Sequence, residues 1–303
     1  MRKKFFTSAF LILAMSFMVG CSDDSSDNGS SDSKGQQYKQ KILVEDITSA
    51  SCVWCPLAAY TTEELAKTEL SDRIISVAAH GNFDKTMVAD PFVLPTINKL
   101  LSTVKLQGWP FVAWNRNLSI GGSQFQTAFL RQTKNEAGVV QWTFDANLFK
   151  KFYTRYNLFT EGSPIGIKIA SNLSNTEGKV NISVKFGEDM NQELKYVIYV
   201  LEDGLKFKQA NASSLFGNTS GTARWETNFI HDHVVRATND FAGEPIAANE
   251  AVTTNEFKAS ADLTYTVENL ANTSVVVAIL DKDGKVLNAQ KAKANATQDY
   301  EKL

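Results

Sequence analysis

The feature that most constrains the fold is a pair of cysteines, Cys52 and Cys55, followed at once by Pro56. The mostly apolar run at 42–47 before them is typical of a buried parallel strand. After them, apolar residues recur at helical spacing through Ala66, and proline is favoured in a first helical turn. The sequence therefore predicts a strand, a C-x-x-C pair and a helix, in that order.

A C-x-x-C pair at the start of a helix indicates thiol–disulfide chemistry. The two thiols lie one helical turn apart and can close into a disulfide, and the positive end of the helix lowers the pKa of Cys52 by stabilising its thiolate. Cys52 is therefore the predicted nucleophile, and Cys55 is the predicted resolving thiol that attacks a mixed disulfide. An active Cys52 should be partly exposed, whereas a structural disulfide should be buried and inert.

Further elements follow the first helix. The next strand ends at His80, which places His80 at the same edge of the sheet as Cys52, where such folds bind ligands. A loop position without a role is the alternative for His80. The other predictions are a second strand over 74–79, a helix that begins near Asp90 or Pro95 and runs through Leu101, a third strand over 111–114, and helices over 124–136 and 144–159.

This order of elements resembles the thioredoxin fold across about residues 40–137. The resemblance implies that the Trp109-Pro110 bond is cis and that Pro110 packs against the cysteine pair. It also implies that Asp46, six residues before Cys52, is a buried acid that moves protons to and from Cys55. A strand-end carboxylate with satisfied hydrogen bonds is the alternative for Asp46. The candidate substrate-side residues are Trp54, Trp109 and His80.

The N-terminus predicts an export signal and a lipid anchor. Three basic residues at 2–4 precede a mostly apolar stretch at 5–19 that is too short to span a bilayer comfortably. Residues 18–21, Met-Val-Gly-Cys, resemble the lipobox of bacterial lipoproteins, in which the cysteine is acylated. We therefore expect a signal peptide over 1–20, then a lipidated Cys21 with a polar, flexible tether over 21–38. An ordinary signal peptide with an incidental cysteine is the alternative.

Leader and motifs together resemble a known family, the outer-membrane-protein-28-related lipoproteins of Gram-negative anaerobes. This resemblance implies a lipid-anchored protein of the outer membrane, in the cell envelope and facing either the periplasm or the surface. The residues that carry it are Glu45-Asp46, Cys52, Cys55-Pro56, His80, Gly108-x-Pro110 and Asn115-Arg116.

The second half of the chain predicts β-structure. Runs that alternate in apolar residues are separated by turn residues such as Asp283-Gly284. Six or seven such strands suggest an immunoglobulin-like sandwich, and the polar segment 206–228 is predicted to be a long loop. The fold class is therefore α/β plus β, with a thioredoxin-like α/β domain over 39–160 and a β-sandwich domain over 161–303. The predicted strands are 165–170, 180–186, 194–201, 234–235, 257–267, 275–280 and 285–289.

Charge and residue counts argue against other classes of protein. A formal net charge of −2 gives no basic excess to neutralise nucleic-acid phosphates, and three cysteines do not make a disulfide-dense scaffold. A zinc site on the C-x-x-C pair would need two of His80, His231 and His233 to converge, and we expect His231 and His233 to be a packed or surface pair instead. We expect no metal, no cofactor and no nucleic-acid partner.

Two functions remain open. In the first, the protein is a membrane-tethered thiol–disulfide oxidoreductase whose partners are the thiols or disulfides of exported proteins. In the second, it is a binding or structural lipoprotein whose thioredoxin-like domain is only a scaffold. The membrane, reached through the lipid anchor, is a partner in both.

Overall fold

A single eight-stranded mixed sheet organises the protein, as seen in a computed structural model that describes residues 38–83, 89–120, 129–220 and 222–303. The predicted signal peptide and Cys21 lie outside these described residues, as does all but the last residue of the predicted tether. Within the described ranges, none of the helices is both long enough and apolar enough to span a bilayer.

The first part of the chain forms a β-α-β unit around the cysteine pair. Its first strand, β1, pairs in parallel with β2 and antiparallel with β3, so β1 is central and buried along its whole length. Asp145 begins the last helix of this part by accepting hydrogen bonds from the backbone amides of Asn147 and Leu148. The elements are β1 (Ile42–Thr48), α1 (Cys55–Leu65), β2 (Ile74–His80), α2 (Ile97–Thr103), β3 (Phe111–Trp114), β4 (Leu130–Lys134), β5 (Val140–Phe144) and α3 (Ala146–Arg155).

The predicted helix over 124–136 is wrong where the structure describes it. Leu130–Lys134 is a strand that pairs with Val140–Phe144 in a hairpin. The connection turns sharply because Gly138 adopts a φ of +75° and the Asn135 side chain accepts a hydrogen bond from the Val139 amide at 2.9 Å. The turn-forming residues Asn135 and Gly138 therefore favour a hairpin here, although the spacing of apolar residues is typical of a helix.

The second part of the chain is almost entirely β-structure. The predicted loop over 206–228 is too long, because most of β9 and the start of β10 lie within it and pair with each other. The elements are β6 (Ile165–Leu173), β7 (Glu177–Phe186), β8 (Leu194–Glu202), β9 (Leu205–Asn211), β10 (Arg224–His231), β11 (Val234–Thr238), β12 (Glu244–Ile246), β13 (Glu256–Thr264), β14 (Thr273–Leu280), β15 (Val286–Lys293) and β16 (Thr297–Gln298).

The central sheet contains strands from both parts of the chain. Its order is β15-β14-β8-β11-β2-β1-β3, with β12 also paired to β8. Strand β11 joins the two parts, since it pairs in parallel with β2 at Val234 and Ala78 and antiparallel with β8. The predicted boundary at residue 160 therefore does not separate two sheets, because β11 of the second part pairs with β2 of the first. The fold is mixed α/β, with parallel β-α-β pairing and antiparallel sheets.

Apolar cores cover both faces of this sheet. On one face, the four-stranded sheet β13-β7-β6-β16 packs against β8 and β14, and helices α1 and α3 pack against β1 and β3. On the other face, helix α2 packs on a core that runs from β1 and β2 to β8 and β14. Burial on both faces explains why β14 is a continuous apolar run rather than an alternating one.

A buried ion pair links the two parts of the chain across the second face. The Arg116 guanidinium donates two hydrogen bonds of 2.9 Å to the Glu45 carboxylate, and both side chains are 0% exposed. The Tyr199 hydroxyl donates to the same carboxylate at 2.7 Å, and Arg116 also donates to the Phe241 carbonyl oxygen at 2.7 Å. Glu45 and Arg116 come from the first part of the chain, and Tyr199 and Phe241 come from the second.

Candidate functional site

The cysteine pair lies at the junction of β1 and α1, as the sequence predicts. Cys52 and Cys55 form a disulfide with their Cα atoms 5.4 Å apart. Helix α1 begins at Cys55 with Pro56 in its first turn. The Cys52 amide donates to the Ser49 carbonyl oxygen at 3.0 Å, which holds the loop between strand and helix in a turn.

Both cysteines are buried, which differs from the partly exposed Cys52 expected of an active pair. Each cysteine is 2% exposed, whereas Trp54 between them is 45% exposed. The oxidised pair therefore presents an aromatic side chain to the solvent and keeps its sulfur atoms inside the protein.

Strand β9 binds the C-x-x-C loop. The Gln209 side-chain amide donates to the carbonyl oxygens of Cys52, at 2.9 Å, and of Ser49, at 3.2 Å. The backbone continues the contact, because the amides of Ala210 and Ala212 donate to the carbonyl oxygens of Ala50 and Val53, each at 2.8 Å. We name this contact, formed by residues 209–212 on residues 49–53, the β9 cover.

Sequence reasoning missed the β9 cover. The signal present in the sequence is the alternation of Leu205, Phe207 and Gln209 on one face of β9, in which a buried glutamine takes the place of an apolar residue. A polar residue at that position breaks the pattern on which strand prediction depends.

The Trp109-Pro110 bond is cis, which confirms the prediction. Since Ile47 pairs with Phe111, Pro110 lies beside the carboxyl end of β1, from which the C-x-x-C loop departs. The Trp109 ring packs on Gly81, where an added Cβ would lie only 2.5 Å from the Trp109 Cη2 atom.

Asp46 is buried in the same cavity as Cys55. Its side chain points into a cleft of about 70 Å³ between β1, α1, β2 and the end of β10, which we name the Asp46 cleft. Asp46 is 6% exposed, its Oδ1 atom has no hydrogen-bond partner among the described residues, and burial raises its pKa to about 8. A carboxyl group with this pKa exchanges protons near neutral pH. The lining residues used below are Asp46, Cys55, Glu63, Ala78, His80 and His231.

Two histidines meet at one side of the Asp46 cleft, a convergence that the sequence analysis did not expect. The rings of His80 and His231 lie 5.3 Å apart, and the His80 Nδ1 atom is 2.8 Å from Asp90 Oδ2. Asp90 also accepts a hydrogen bond from the Ala50 amide at 2.7 Å. His80 ends β2 as predicted, but it is buried against Asp90 and β10 rather than exposed towards a substrate.

His231 and His233 have different surroundings. His231 is buried, whereas His233 is partly exposed with its Nδ1 atom 2.9 Å from Asp203 Oδ1. The structure therefore places His231 in the interior and His233 nearer the surface. Across the described ranges, no three His, Cys, Asp or Glu side chains are arranged to hold a metal ion.

The chain is similar to one protein family over more than half of its length. The family is described as "Outer membrane protein Omp28", and its match covers residues 97–298. The match begins after the cysteine pair, and it covers every helix and strand from α2 to β16. No curated protein sequence matches this chain significantly.

Two solved structures are similar to this one to different degrees. HBP35 of Porphyromonas gingivalis superposes with a TM-score of 0.57 at 16% sequence identity, over 85% of this chain and 76% of that chain, which indicates a similar fold. A β-glucosidase from Kluyveromyces marxianus in complex with glucose gives a TM-score of 0.22 at 11% identity, over 51% of this chain and 17% of that chain. The second similarity is too low to carry any argument.

Proposed function

The chain belongs to the Omp28 family of outer membrane proteins, and from this premise we propose that it is an outer-membrane thiol–disulfide oxidoreductase acting on exported proteins. Residues 39–160 supply a thioredoxin-like unit with Cys52 as nucleophile and Cys55 as resolving thiol. Residues 161–303 supply an immunoglobulin-like β-sandwich that completes the central sheet.

The observation that carries this proposal is the placement of Asp46. The buried Oδ1 atom of Asp46 has no hydrogen-bond partner among the described residues, which costs stability, and a purely structural disulfide has no use for such an acid. In the cleft that Cys55 also lines, a carboxylate can take the thiol proton and return it. Perturbed acids of this kind concentrate at functional sites.

The exchange proceeds in two balanced steps. The Cys52 thiolate attacks a substrate disulfide, forming a bond between Cys52 and one substrate sulfur while the other substrate sulfur leaves as a thiolate. Asp46 then takes the Cys55 proton, and the Cys55 thiolate attacks Cys52 to form the Cys52–Cys55 disulfide and release the second substrate thiolate. The substrate disulfide is reduced by two electrons and the cysteine pair is oxidised. The same steps in reverse oxidise a substrate dithiol.

Access to the pair requires a change in the β9 cover. Both cysteines are 2% exposed in the oxidised form, and in the proposed exchange residues 209–212 separate from the C-x-x-C loop so that a protein sulfur can reach Cys52. The Gln209 amide makes two of the hydrogen bonds that hold this contact closed. Weakening the cover should therefore speed exchange without altering the cysteines.

Trapping of substrates tests the proposal. In cells that make Cys55→Ser, Cys52 attacks but cannot be released, so mixed disulfides with envelope proteins should accumulate on non-reducing gels. Cys52→Ser is the matched control and should accumulate none. Gln209→Ala combined with Cys55→Ser should accumulate them faster. If Cys55→Ser traps no more protein than Cys52→Ser, with and without Gln209→Ala, the oxidoreductase proposal fails.

The burial of both sulfur atoms favours a second candidate function. In that case the disulfide only braces a scaffold, and the protein is a non-catalytic binding or structural lipoprotein. The two candidates differ in thiol reactivity, since an active pair alkylates rapidly near neutral pH after reduction and a structural pair does not.

The membrane anchor is proposed to be Cys21. After removal of residues 1–20, Cys21 becomes the acylated N-terminus. Several acyl chains on this residue would anchor the protein stably, which a single chain does not do. Mass spectrometry of the mature protein should show a lipidated Cys21, and Cys21→Ala should move the protein from the membrane to the soluble fraction. An unmodified Cys21 or cleavage at another residue contradicts the anchor.

A further inference from the structure

We propose that His231 is a positioning residue for Asp46, acting through a water molecule bound in the Asp46 cleft between Asp46 Oδ1 and His231 Nε2. This inference deepens the proposed function, on which its catalytic consequence rests. His231 lies far from the cysteines in sequence, and no motif of the first part of the chain includes it.

Two buried polar atoms at the Asp46 cleft lack a hydrogen-bond partner in the part of the chain that the structure describes. Asp46 Oδ1 and His231 Nε2 are both buried, and neither has a hydrogen-bond partner among the described residues. A buried polar group without a partner is costly, so two such groups in one cavity point to a shared ligand.

The cleft that both residues line has space for a water molecule. Asp46 and His231 both line the Asp46 cleft, whose volume is about 70 Å³. One water occupies about 30 Å³ in the liquid, and buried waters are retained where they satisfy two or more polar atoms. The cleft therefore has both the room and the polar partners that a bound water requires.

The strand register brings the two residues to the same place. Asp46 pairs with Ala78 across β1 and β2, and Ala78 pairs with Val234 of β11. The Ala78 amide donates to the His233 carbonyl oxygen at 2.8 Å, which fixes the turn after His231 beside β2. Only one strand separates Asp46 from this turn.

The chemistry of the two side chains suits a water that donates to both. Burial, followed by the nearby His80, lowers the pKa of His231 to about 3, so the imidazole is neutral at physiological pH. Its other nitrogen is occupied by a hydrogen bond to the Phe207 backbone, which leaves Nε2 as an acceptor. The water then donates one proton to Nε2 and one to Asp46 Oδ1, which stabilises the ionised carboxylate.

The titratable groups around the cleft apart from Asp46 and His231 are retained in His231→Phe and His231→Gln, and only the control variant changes one of them, His233. The disulfide sulfurs do not titrate, so the oxidised protein isolates the carboxyl group of Asp46. The groups are Glu63 on α1, His80 with Asp90 behind β2, and Asp232 and His233 in the turn between β10 and β11.

The test is an infrared titration of the Asp46 carboxyl group in the oxidised full chain, with Asp46→Asn identifying its band. In His231→Phe the carboxylate loses the bound water, so its proton dissociation constant should fall about tenfold, which is one pKa unit. His231→Gln keeps an acceptor near the position of Nε2 and should stay close to wild type. His233→Asn, on the same cleft but paired with Asp203 in the wild type, is the control and should not shift the titration.

An unchanged Asp46 titration in a folded His231→Phe protein overturns the inference. If that variant does not fold, a high-resolution crystal structure of the wild type decides, since a water must lie within hydrogen-bond distance of both Asp46 Oδ1 and His231 Nε2. The titration needs no substrate, so its outcome is independent of trapping by Cys55→Ser. In protein that exchanges, the pH profile of the Cys55 resolution step should shift upwards by the same unit in His231→Phe.

Discussion

Arg116→Ala is expected to destabilise the protein by about 3–5 kcal/mol, a large part of the stability of an ordinary domain. The substitution leaves the Glu45 carboxylate at 0% exposure without its cation. It also removes the donor to the Phe241 carbonyl oxygen and one of the contacts between the two parts of the chain. Chemical denaturation followed by circular dichroism and tryptophan fluorescence measures the effect.

Two matched variants separate this effect from simple loss of a charge. Lys99→Ala removes an exposed ion pair with Asp240 and should cost no more than about 1 kcal/mol. Arg116→Lys keeps the charge but not the two parallel hydrogen bonds to Glu45, so its stability should lie between those of Arg116→Ala and the wild type. An Arg116→Ala protein within about 1 kcal/mol of wild type would contradict the structural role of the ion pair.

Asp46→Asn is expected to stabilise the oxidised protein at alkaline pH. Burial raises the pKa of Asp46 to about 8 in the folded state, whereas an unfolded aspartate titrates near pH 3.9. Between about pH 4 and about pH 8 the folded protein therefore binds more protons at Asp46 than the unfolded chain does, and wild-type stability falls as the pH rises through this window. Asparagine does not titrate, so the variant lacks this loss.

The advantage of Asp46→Asn should be absent at pH 4 and should grow to as much as about 5 kcal/mol at pH 8, at about 1.4 kcal/mol per pH unit. Unfolding titrations at several pH values, with the disulfide intact, measure the slope. Asp72→Asn changes an exposed aspartate and serves as the control. Parallel stability curves for wild type and Asp46→Asn from pH 4 to pH 8 would show that Asp46 does not titrate abnormally.

Local patterns were sufficient for much of the candidate site. The strand before Cys52 and the helix that starts at Cys55 depend on residues close together in the chain. The cis Trp109-Pro110 bond and the burial of Asp46 were expected from the resemblance to the thioredoxin fold, and the burial agrees with the position of Asp46 in a strand that is buried on both faces. Patterns of this kind are visible in a single sequence.

The features of the site that the sequence did not reveal depend on contacts between residues far apart in the chain. Gln209 contacts the carbonyl oxygen of Cys52 across 157 residues, and no periodicity within β9 indicates which distant loop it covers. Strand β11 pairs with β2 at the single position of Val234 and Ala78. Neither strand's sequence pattern therefore indicates that the two are neighbours in the sheet. The convergence of His231 with His80 follows from that placement and was hidden for the same reason.

Because β11 lies between β2 and β8 in the central sheet, the surroundings of the cysteine pair are complete only after residues far along the chain have been synthesised. A ribosome produces the cysteine pair long before β11, and until β11 arrives the outer edge of β2 is a row of unpaired backbone groups. Gln209 follows Cys52 by 157 residues, so the cysteine pair is synthesised well before the residues of the β9 cover. The cover over the cysteine pair therefore cannot form until residues 209–212 have been synthesised.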